Sequence, residues 1–248
     1  MRTIISILAL FIVALATSFA SDENKPIDKN VDVSYFNKIE LFGNVYVVYT
    51  QGEKNTARIH GPKEFVDNIE IEQNGETLKI SKNKKNVVNG LKELVKIFNH
   101  PEDYVGIYVT SPDLIGVSQK GSGDFVVKTK LDTDNLELSL TGSGDMEFSD
   151  IICDSFKAIL SGSGDIDINK VESITASYSV RGSGDIESKQ NRVRKTDISL
   201  LGSGDIKVHC KDCDEVNANL MGSGDITISG KMKKVNQSKH GSGDIVVK

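Results

Sequence analysis

The tetrapeptide Gly-Ser-Gly-Asp occurs seven times in the second half of the chain, and its spacing constrains the fold more than any other feature. Successive copies begin 21, 20, 20, 20, 20 and 19 residues apart. Apolar residues alternate with polar ones after each copy, as at Ile166 and Ile168, and again before the next copy, as at 156–160. This alternation predicts strands with one buried face. Each repeat is therefore a corner, a short strand, a loop and a longer strand.

A repeat of this length cannot bury its apolar face alone, so repeats must stack into a continuous core. A parallel β-helix fits the period, with neighbouring strands ~4.8 Å apart. A propeller blade would need about 40–45 residues, and a period of two disfavours helical repeats. The sequence therefore predicts an all-β solenoid domain over 35–248. Its array covers 119–248, and strand-rich 35–118 supplies irregular N-terminal rungs of the same solenoid.

The repeated glycines are predicted to be structural. A tight corner needs backbone angles that glycine adopts without steric cost, and stacked corners bring backbones close together. The predicted turn positions are Gly121, Gly123, Gly142, Gly144, Gly162, Gly164, Gly182, Gly184, Gly202, Gly204, Gly222, Gly224, Gly241 and Gly243.

The repeated aspartates have two interpretations. Each can accept hydrogen bonds from nearby backbone N–H groups and hold its corner. Carboxylates in register with ~5 Å steps would otherwise repel unless solvated or bridged by cations, and calcium prefers oxygen ligands. Calcium is the candidate cofactor, and its candidate ligands are Asp124, Asp145, Asp165, Asp185, Asp205, Asp225 and Asp244.

The first twenty residues have the pattern of a secretory signal peptide. Arg2 precedes an apolar run over 4–16, and Ser18-Phe19-Ala20 fits the cleavage pattern. An uncleaved membrane anchor is the alternative, because the run comes close to spanning length. We expect cleavage, a flexible leader over 21–34, and no transmembrane segment afterwards. The predicted location is the periplasm, the cell surface or the medium.

Between the leader and the array, the first half of the chain predicts strands and one helix. The strands are expected at 36–42, 45–50, 57–60, 68–73, 77–81, 105–110 and 114–118, with tight turns at Gly43-Asn44 and Asn74-Gly75. Apolar residues at helical spacing predict a short helix over 86–99. This helix could pack over the end of the solenoid or bind a partner or membrane surface.

Several segments resemble a known family. They are 36–40, 75–80 and 108–114, followed by the serial Gly-Ser-Gly-Asp corners. The chain is similar, over about 35–247, to the putative auto-transporter adhesin, head GIN domain family, a domain of unknown function. The resemblance implies a right-handed, mostly parallel β-helix and a surface or envelope head domain. It implies no catalytic residues.

The three cysteines predict no catalytic or metal site. Cys153 and Cys213 lie three rungs apart, ~14 Å by strand spacing, which is too far for a disulfide. Cys210 and Cys213 could form a local bridge in an oxidising compartment or stay as buried thiols. A metal site would need a second ligand pair.

Composition and motifs favour a binding module over an enzyme. With 35 acidic and 30 basic residues, a nucleic-acid binder is not expected. The favoured function is a non-catalytic envelope or surface module that binds a glycan, matrix or partner protein on a β-face. The alternatives are a glycan-active β-helix enzyme, lyase-like or hydrolase-like, and a purely structural envelope protein.

Two further features bear on these alternatives. The charge concentration that would suit an enzyme comprises Arg181, Asp185, Glu187, Arg192, Arg194, Lys195 and Asp197, and a solvated loop explains it as well. The last rung ends at Ile245-Val246-Val247-Lys248, and an open strand edge there predicts a homo-oligomer.

Overall fold

A computed structural model of the protein describes residues 25–82 and 105–248. The fold is a β-solenoid of about 7 turns with ~20-residue rungs, 73% strand and 3% helix, which confirms the predicted architecture. The predicted signal peptide and the predicted helix over 86–99 lie outside the described residues. The one helix in the described part is a different segment, which the sequence did not predict.

The described residues form strands β1 to β17 and helix α1. In chain order they are β1 (Ile27–Val31), β2 (Lys38–Phe42), β3 (Tyr46–Gln51), β4 (Thr56–Gly61), α1 (Lys63–Asn68), β5 (Ile69–Asn74), β6 (Thr77–Lys82), β7 (Gly106–Ser111), β8 (Gly116–Gly121), β9 (Asp124–Asp132), β10 (Asn135–Gly142), β11 (Asp145–Gly162), β12 (Ile166–Gly182), β13 (Ile186–Asn191), β14 (Lys195–Gly202), β15 (Ile206–Gly222), β16 (Ile226–Gly241) and β17 (Ile245–Val247).

Each rung of the array pairs with the next in three stretches. Strands β11 and β12 are parallel and pair over 146–148, 151–153 and 155–162 of β11. We call these the first, second and third stretches of a rung. The register is constant, with Phe156 beside Ala176 and Leu160 beside Val180. Between these two strands, a 20-residue offset therefore places each paired residue of β12 directly above its counterpart in β11, and apolar positions form continuous inward columns.

The two glycines of a corner have different roles. Gly162 has a φ of 145°, a conformation that side chains strongly disfavour. Gly164 has no such φ, but a Cβ there would overlap the carbonyl oxygen of Gly144 in the rung below. Backbone bonds tie the corners together, because the N–H groups of Ser163 and Gly164 both donate to the Gly142 oxygen, at 2.8 and 3.2 Å. The first glycine is needed both for its backbone angle and for close stacking, because a Cβ there would overlap the Gly142 oxygen, and the second is needed for close stacking alone.

The first rung in the sequence is not the first rung in space. Strand β2 pairs in parallel with β6 on one side and β8 on the other. Strand β3 likewise lies between β7 and β9. The segment 38–51 is therefore an inserted rung between two rungs that come later in the chain. The prediction that this half forms irregular solenoid rungs did not anticipate that order.

The N-terminal end of the solenoid is antiparallel. Strand β1 pairs with β4, β4 pairs with β7, and β5 forms a hairpin with β6. Residues 27–31 are thus an edge strand, and the expected flexible leader over 21–34 is wrong for this segment. Its residues are mostly exposed, so no apolar alternation marked it. Asp28 ties the strand to β4 by accepting from Arg58 at 2.8 Å.

The core is continuous from the inserted rung into the array. The rings of Tyr49 and Phe125 lie 6.4 Å apart, and those of Phe125 and Phe148 lie 5.8 Å apart. All three side chains are fully buried. Aromatic pairs at such distances add packing energy to the burial of apolar area. The two halves therefore share one hydrophobic core.

The last rung replaces apolar inward residues with polar ones. Ala218 and Leu220 of β15 point inward, and their register partners in β16 are Gln237 and Lys239. Lys239 forms an ion pair with Asp244 at 2.6 Å. An inward charge of this kind discourages edge-to-edge strand pairing. This charge lies on β16, and the oligomer predicted through the edge at 245–248 stays a prediction.

Candidate functional site

The outward side of the third stretches carries a regular lattice of small polar side chains. We call it the polar face, and it lies on β12, β14, β15 and β16. Because register is constant, its residues form two parallel columns running along the solenoid. One column holds Ser177, Asp197, Asn217 and Asn236, and the other holds Ser179, Ser199, Asn219 and Ser238. These eight residues line a shallow depression of about 510 Å³.

The first column is joined by hydrogen bonds. The Asn236 amide donates to Asn217 Oδ1 at 2.7 Å, and the Asn217 amide donates to Asp197 Oδ1 at 2.8 Å. Asp197 Oδ2 also forms an ion pair with Lys195 at 3.1 Å. The chain of bonds fixes these side chains in place before any ligand arrives. Preorganised groups lose less side-chain entropy on binding.

The second column makes no side-chain hydrogen bond within the described part of the chain. Its hydroxyl and amide groups can each donate and accept, so they can meet a ligand's hydroxyls in either sense. Leu201 and Met221 are the next outward residues beside this column and are register partners. They are 47% and 42% exposed, which is unusual for large apolar side chains in this protein. An exposed apolar strip thus borders the polar lattice.

The repeated aspartates form a ladder on another side of the rungs. Asp145 Oδ1 accepts from the Asp165 backbone N–H at 3.1 Å, and Asp165 Oδ1 accepts from the Asp185 N–H at 3.0 Å. The same bond continues to Asp205, Asp225 and Asp244 at 2.8, 2.9 and 2.7 Å. Each carboxylate therefore holds the corner above it, as the structural interpretation proposes.

The ladder begins at Asp124. Tyr46 occupies the corresponding place in the inserted rung, and the Asp124 N–H donates to the Val45 oxygen instead. Partial burial raises the pKa of Asp124. Among the described residues, no group of three or more His, Cys, Asp or Glu side chains is arranged to hold a metal ion. Calcium binding by the ladder stays a prediction.

The charge concentration predicted between 181 and 197 does not form one site. Arg192 forms an ion pair with Glu172 of the rung below. Glu187 lies outward beside Asp167 in the first stretch. Asp197 is on the polar face, in the third stretch. The rung bends between these positions, so residues close in sequence point in different directions.

Sequence reasoning did not single out the polar face as a site. Its signal was present, because Ser179, Ser199 and Asn219 recur at 20-residue offsets. Small polar residues at the solvent side of a strand are ordinary, and only stacking shows that they gather on one face. The cysteines are all buried, with Cys153 apart from Cys210 and Cys213.

The sequence also matches a known family. The profile described as "Putative auto-transporter adhesin, head GIN domain" matches residues 35–231, which is most of the chain. The chain belongs to this family. The matched segment of this head GIN domain protein contains the inserted rung, the polar columns up to Asn219 and the first six corners.

Solved structures agree with the family assignment. A crystal structure named as a putative adhesin from Bacteroides fragilis is 28% identical, with a TM-score of 0.76, covering 90% of this chain and 97% of that chain. A second, named as a putative lipid binding protein from Parabacteroides distasonis, is 24% identical with a TM-score of 0.67 and covers 90% and 97%. A third, a putative adhesin from Parabacteroides merdae, is 17% identical with a TM-score of 0.65, covering 90% and 96%. The two Parabacteroides likenesses support the fold alone.

A search of curated proteins finds no significant match. The family and its adhesin-named relative support an adhesin-like, non-catalytic module with an extracellular or surface location. Within the residues described, none of the helices has both the length and the apolar character needed to cross a membrane.

Proposed function

We propose that this head GIN domain protein is exported and binds a glycan chain along its polar face. The observation that carries the proposal is the pair of in-register polar columns with an apolar strip beside them. Sugars present hydroxyl groups that donate and accept, together with apolar C–H surfaces. Amide, carboxylate and hydroxyl side chains complement the hydroxyls, and Leu201 and Met221 complement the C–H surface.

The geometry favours a polymer over a single small sugar. The columns place a small polar group at the same two positions of each rung, with a spacing of ~4.8 Å between rungs. A linear chain can meet such a ladder with several equivalent units, so weak contacts add along its length. The depression is open and shallow, so a polymer chain can lie in it across several rungs.

The polar face supports binding without hydrolysis. Most glycosidases use two carboxyl groups on either side of the scissile bond. Asp197 is the only carboxylate among the residues that line the depression, and it is bonded to Lys195 and Asn217. A single carboxylate cannot supply both the acid and the base of that pair.

The test is binding of the purified protein to an array of neutral and acidic polysaccharides, in calcium and in chelator. We expect saturable binding to one polysaccharide class. A variant carrying Ser199→Lys and Asn219→Lys should lose at least about tenfold in affinity, or 1.4 kcal/mol, because two long charged chains would cover the lattice.

The matched control carries Ser118→Lys and Ser139→Lys. These residues occupy the same outward column on earlier rungs, outside the depression. Equal loss in both variants, or no binding at all, would contradict the proposal. Loss of binding in chelator alone would assign calcium, and therefore the aspartate ladder, to the mechanism.

A homo-oligomer through the last rung stays a prediction of its own. Its test is light scattering over a range of concentrations. The Lys239→Leu variant should associate more strongly than the unchanged protein, because it removes the inward charge from the edge.

A further inference from the structure

A polar cluster lies inside the otherwise apolar core of the array. Gln190 is 1% exposed and occupies an inward position between Val171 and Cys210 in register. Its Nε2 donates to the Tyr178 hydroxyl at 3.0 Å, and that hydroxyl also bonds Ser188 Oγ at 2.8 Å. Buried polar groups are costly unless bonded, so such a cluster needs a reason beyond packing.

Two thiols converge on the other end of the same side chain. Gln190 Oε1 accepts from Thr196 Oγ1 at 2.9 Å and contacts Cys210 Sγ at 3.7 Å and Cys213 Sγ at 3.6 Å. Each thiol also shifts the pKa of the other, upward for Cys210 and downward for Cys213. Both cysteines are 1% exposed. The sulfur atoms are therefore neighbours in the folded protein.

The backbone between the cysteines is shaped to bring them together. Strict alternation along a strand would place residues 210 and 213 on opposite faces. A register shift between Cys210 and Cys213 breaks the alternation. Asp212 takes a positive φ of 57° at this bend, and its carboxylate pairs with Lys231 at 2.6 Å. The bulge turns both cysteines inward while Lys211 and Asp212 stay exposed.

We propose that Cys210 and Cys213 are a modification site, where the exported protein forms an intramolecular disulfide. The co-reactant is a disulfide, either of a thiol oxidoreductase or of a small thiol such as glutathione. The thiolate of one of the two cysteines attacks this disulfide, forms a mixed disulfide and releases one thiol. The thiolate of the other cysteine then attacks the bound sulfur of the first and releases the second thiol. The two cysteine protons end on the two released thiols, so the protein is oxidised and the disulfide reduced.

The folded state sets when the exchange can take place. In the closed rung, the contact between the thiols lowers the pKa of Cys213 and raises the pKa of Cys210. Because both sulfurs are covered in the folded state, the exchange belongs to folding, before the next rung closes over them.

The core can lose both thiol protons without leaving a buried group unsatisfied. A side-chain carbonyl oxygen has two lone pairs, and three donors surround Gln190 Oε1. After oxidation it keeps the Thr196 hydroxyl, and Nε2 keeps Tyr178. The network therefore fits the disulfide as well as the dithiol.

Cys153 is too far from Cys210 and Cys213 to form a disulfide with either in the folded protein. It lies three rungs from Cys213, ~14 Å by strand spacing. Burial raises the pKa of Cys153 to about 12, so it remains a protonated and unreactive thiol in the fold.

The test is refolding of the purified protein in mixed oxidised and reduced glutathione, then alkylation in denaturant and mass analysis of peptides. We expect one alkylated residue, Cys153, and one bridge between Cys210 and Cys213. The Cys153→Ser variant should form the same bridge with nothing left to alkylate. Cys213→Ser should leave Cys153 and Cys210 as thiols or glutathione adducts. Three alkylated thiols in the unchanged protein, or a bridge to Cys153, would overturn the proposal.

A thermal measurement separates a native bridge from an imposed one. The oxidised protein should melt about 2–4 °C higher than the reduced protein, the shift of a small stabilisation in a domain of this size. A variant carrying Cys210→Ala and Cys213→Ala should not respond to reductant. A bridge that lowers the melting temperature would show that the folded core does not accept it. Glycan binding plays no part in either readout, so failure here leaves the proposed function standing.

Discussion

The repeat array and the N-terminal part build similar rungs by different routes. In the array, each rung lies on the one that precedes it in the sequence, at a 20-residue offset. In the N-terminal part, Lys38 pairs with Thr77 and Gly116, which are 39 and 78 residues further along. Closing those longer loops costs more entropy before any contact forms. Rungs that pack together in the array are therefore close in the sequence, whereas the inserted rung packs against segments that are distant in the sequence.

The corners of the two regions differ in the same way. In the array, the corner glycines are packed against the backbone of the rung below. In the N-terminal part, Gly43 and Gly75 have positive φ but open space where a side chain would be. The array therefore requires glycine for two reasons, and the N-terminal turns require it for one.

The largest expected effect is at an array corner. Gly164→Ala should lower the free energy of unfolding by about 5 kcal/mol or more, because the new Cβ would overlap the Gly144 carbonyl and no side chain can give way. Gly75→Ala, whose Cβ meets nothing, should cost about 1–2 kcal/mol for its φ of 59° alone. Urea unfolding followed by circular dichroism measures both. Equal losses would mean that corner stacking is looser than the structure shows.

Next in size is a test of whether the inserted rung belongs to the same core. Leu41 in the inserted rung and Leu200 in the array are each 1% exposed. Leu41→Ala and Leu200→Ala should each cost about 2–5 kcal/mol and shift one shared unfolding transition. The controls are Leu41→Met and Leu200→Met, which keep most of the volume and should cost less than about 1.5 kcal/mol. A separate early transition in Leu41→Ala alone would show that the N-terminal part unfolds independently.

Buried tyrosines give a smaller contrast between the two regions. Tyr178→Phe in the array should cost about 1–3 kcal/mol, because it leaves the Gln190 amide without its acceptor. Tyr49→Phe in the N-terminal part should cost about 1 kcal/mol, because Ser111 keeps its bond to the Asp113 oxygen. Chemical denaturation at neutral pH compares the two. A larger loss at Tyr49 would reverse the expected ranking.

The pH dependence of stability tests the same side chains. Burial raises the pKa of Tyr49 to about 12, above the ordinary value of 10.0. Between these values the unfolded chain loses the proton first, so stability is full below pH 10 and falls as pH rises towards about 12. Tyr49→Phe should reduce the slope of that fall. An unchanged slope would show that other groups dominate the alkaline transition.

The smallest effect expected is in the aspartate ladder. Asp165→Ala removes the acceptor of the Asp185 N–H and should cost about 1 kcal/mol. Asp165→Asn keeps a carbonyl acceptor and should recover most of that loss. Glu137→Ala, which breaks an exposed pair with Lys157, should stay within about 0.5 kcal/mol. If Asp165→Ala also stays within that limit, the ladder does not hold the corners.

Local pattern predicted most of the strands in both regions. The expected strand at 57–60 is one residue shorter than β4 at each end, and the expected strand at 77–81 is one residue shorter than β6 at one end. The hairpin turn that joins β5 to β6 lies at Gly75-Glu76, one residue later than the predicted Asn74-Gly75 turn. These features depend on alternation and on turn residues, which a short window of sequence contains. The sequence did not predict strand β1 or helix α1. The residues of β1 are mostly exposed, helix α1 is only 6 residues long, and neither segment shows a clear apolar periodicity.

The sequence by itself determined the rung, its period and its corners, since Gly-Ser-Gly-Asp at 20-residue offsets leaves few ways to bury the alternating residues. Only the tertiary structure decided where the first rung lies, since its place depends on pairings across up to 78 residues. The same holds for the polar face and for the meeting of Cys210 and Cys213 at Gln190. Stacking of the rungs brings the polar-face residues together, and a single bulge brings the two cysteines together. No short stretch of the sequence specifies either contact.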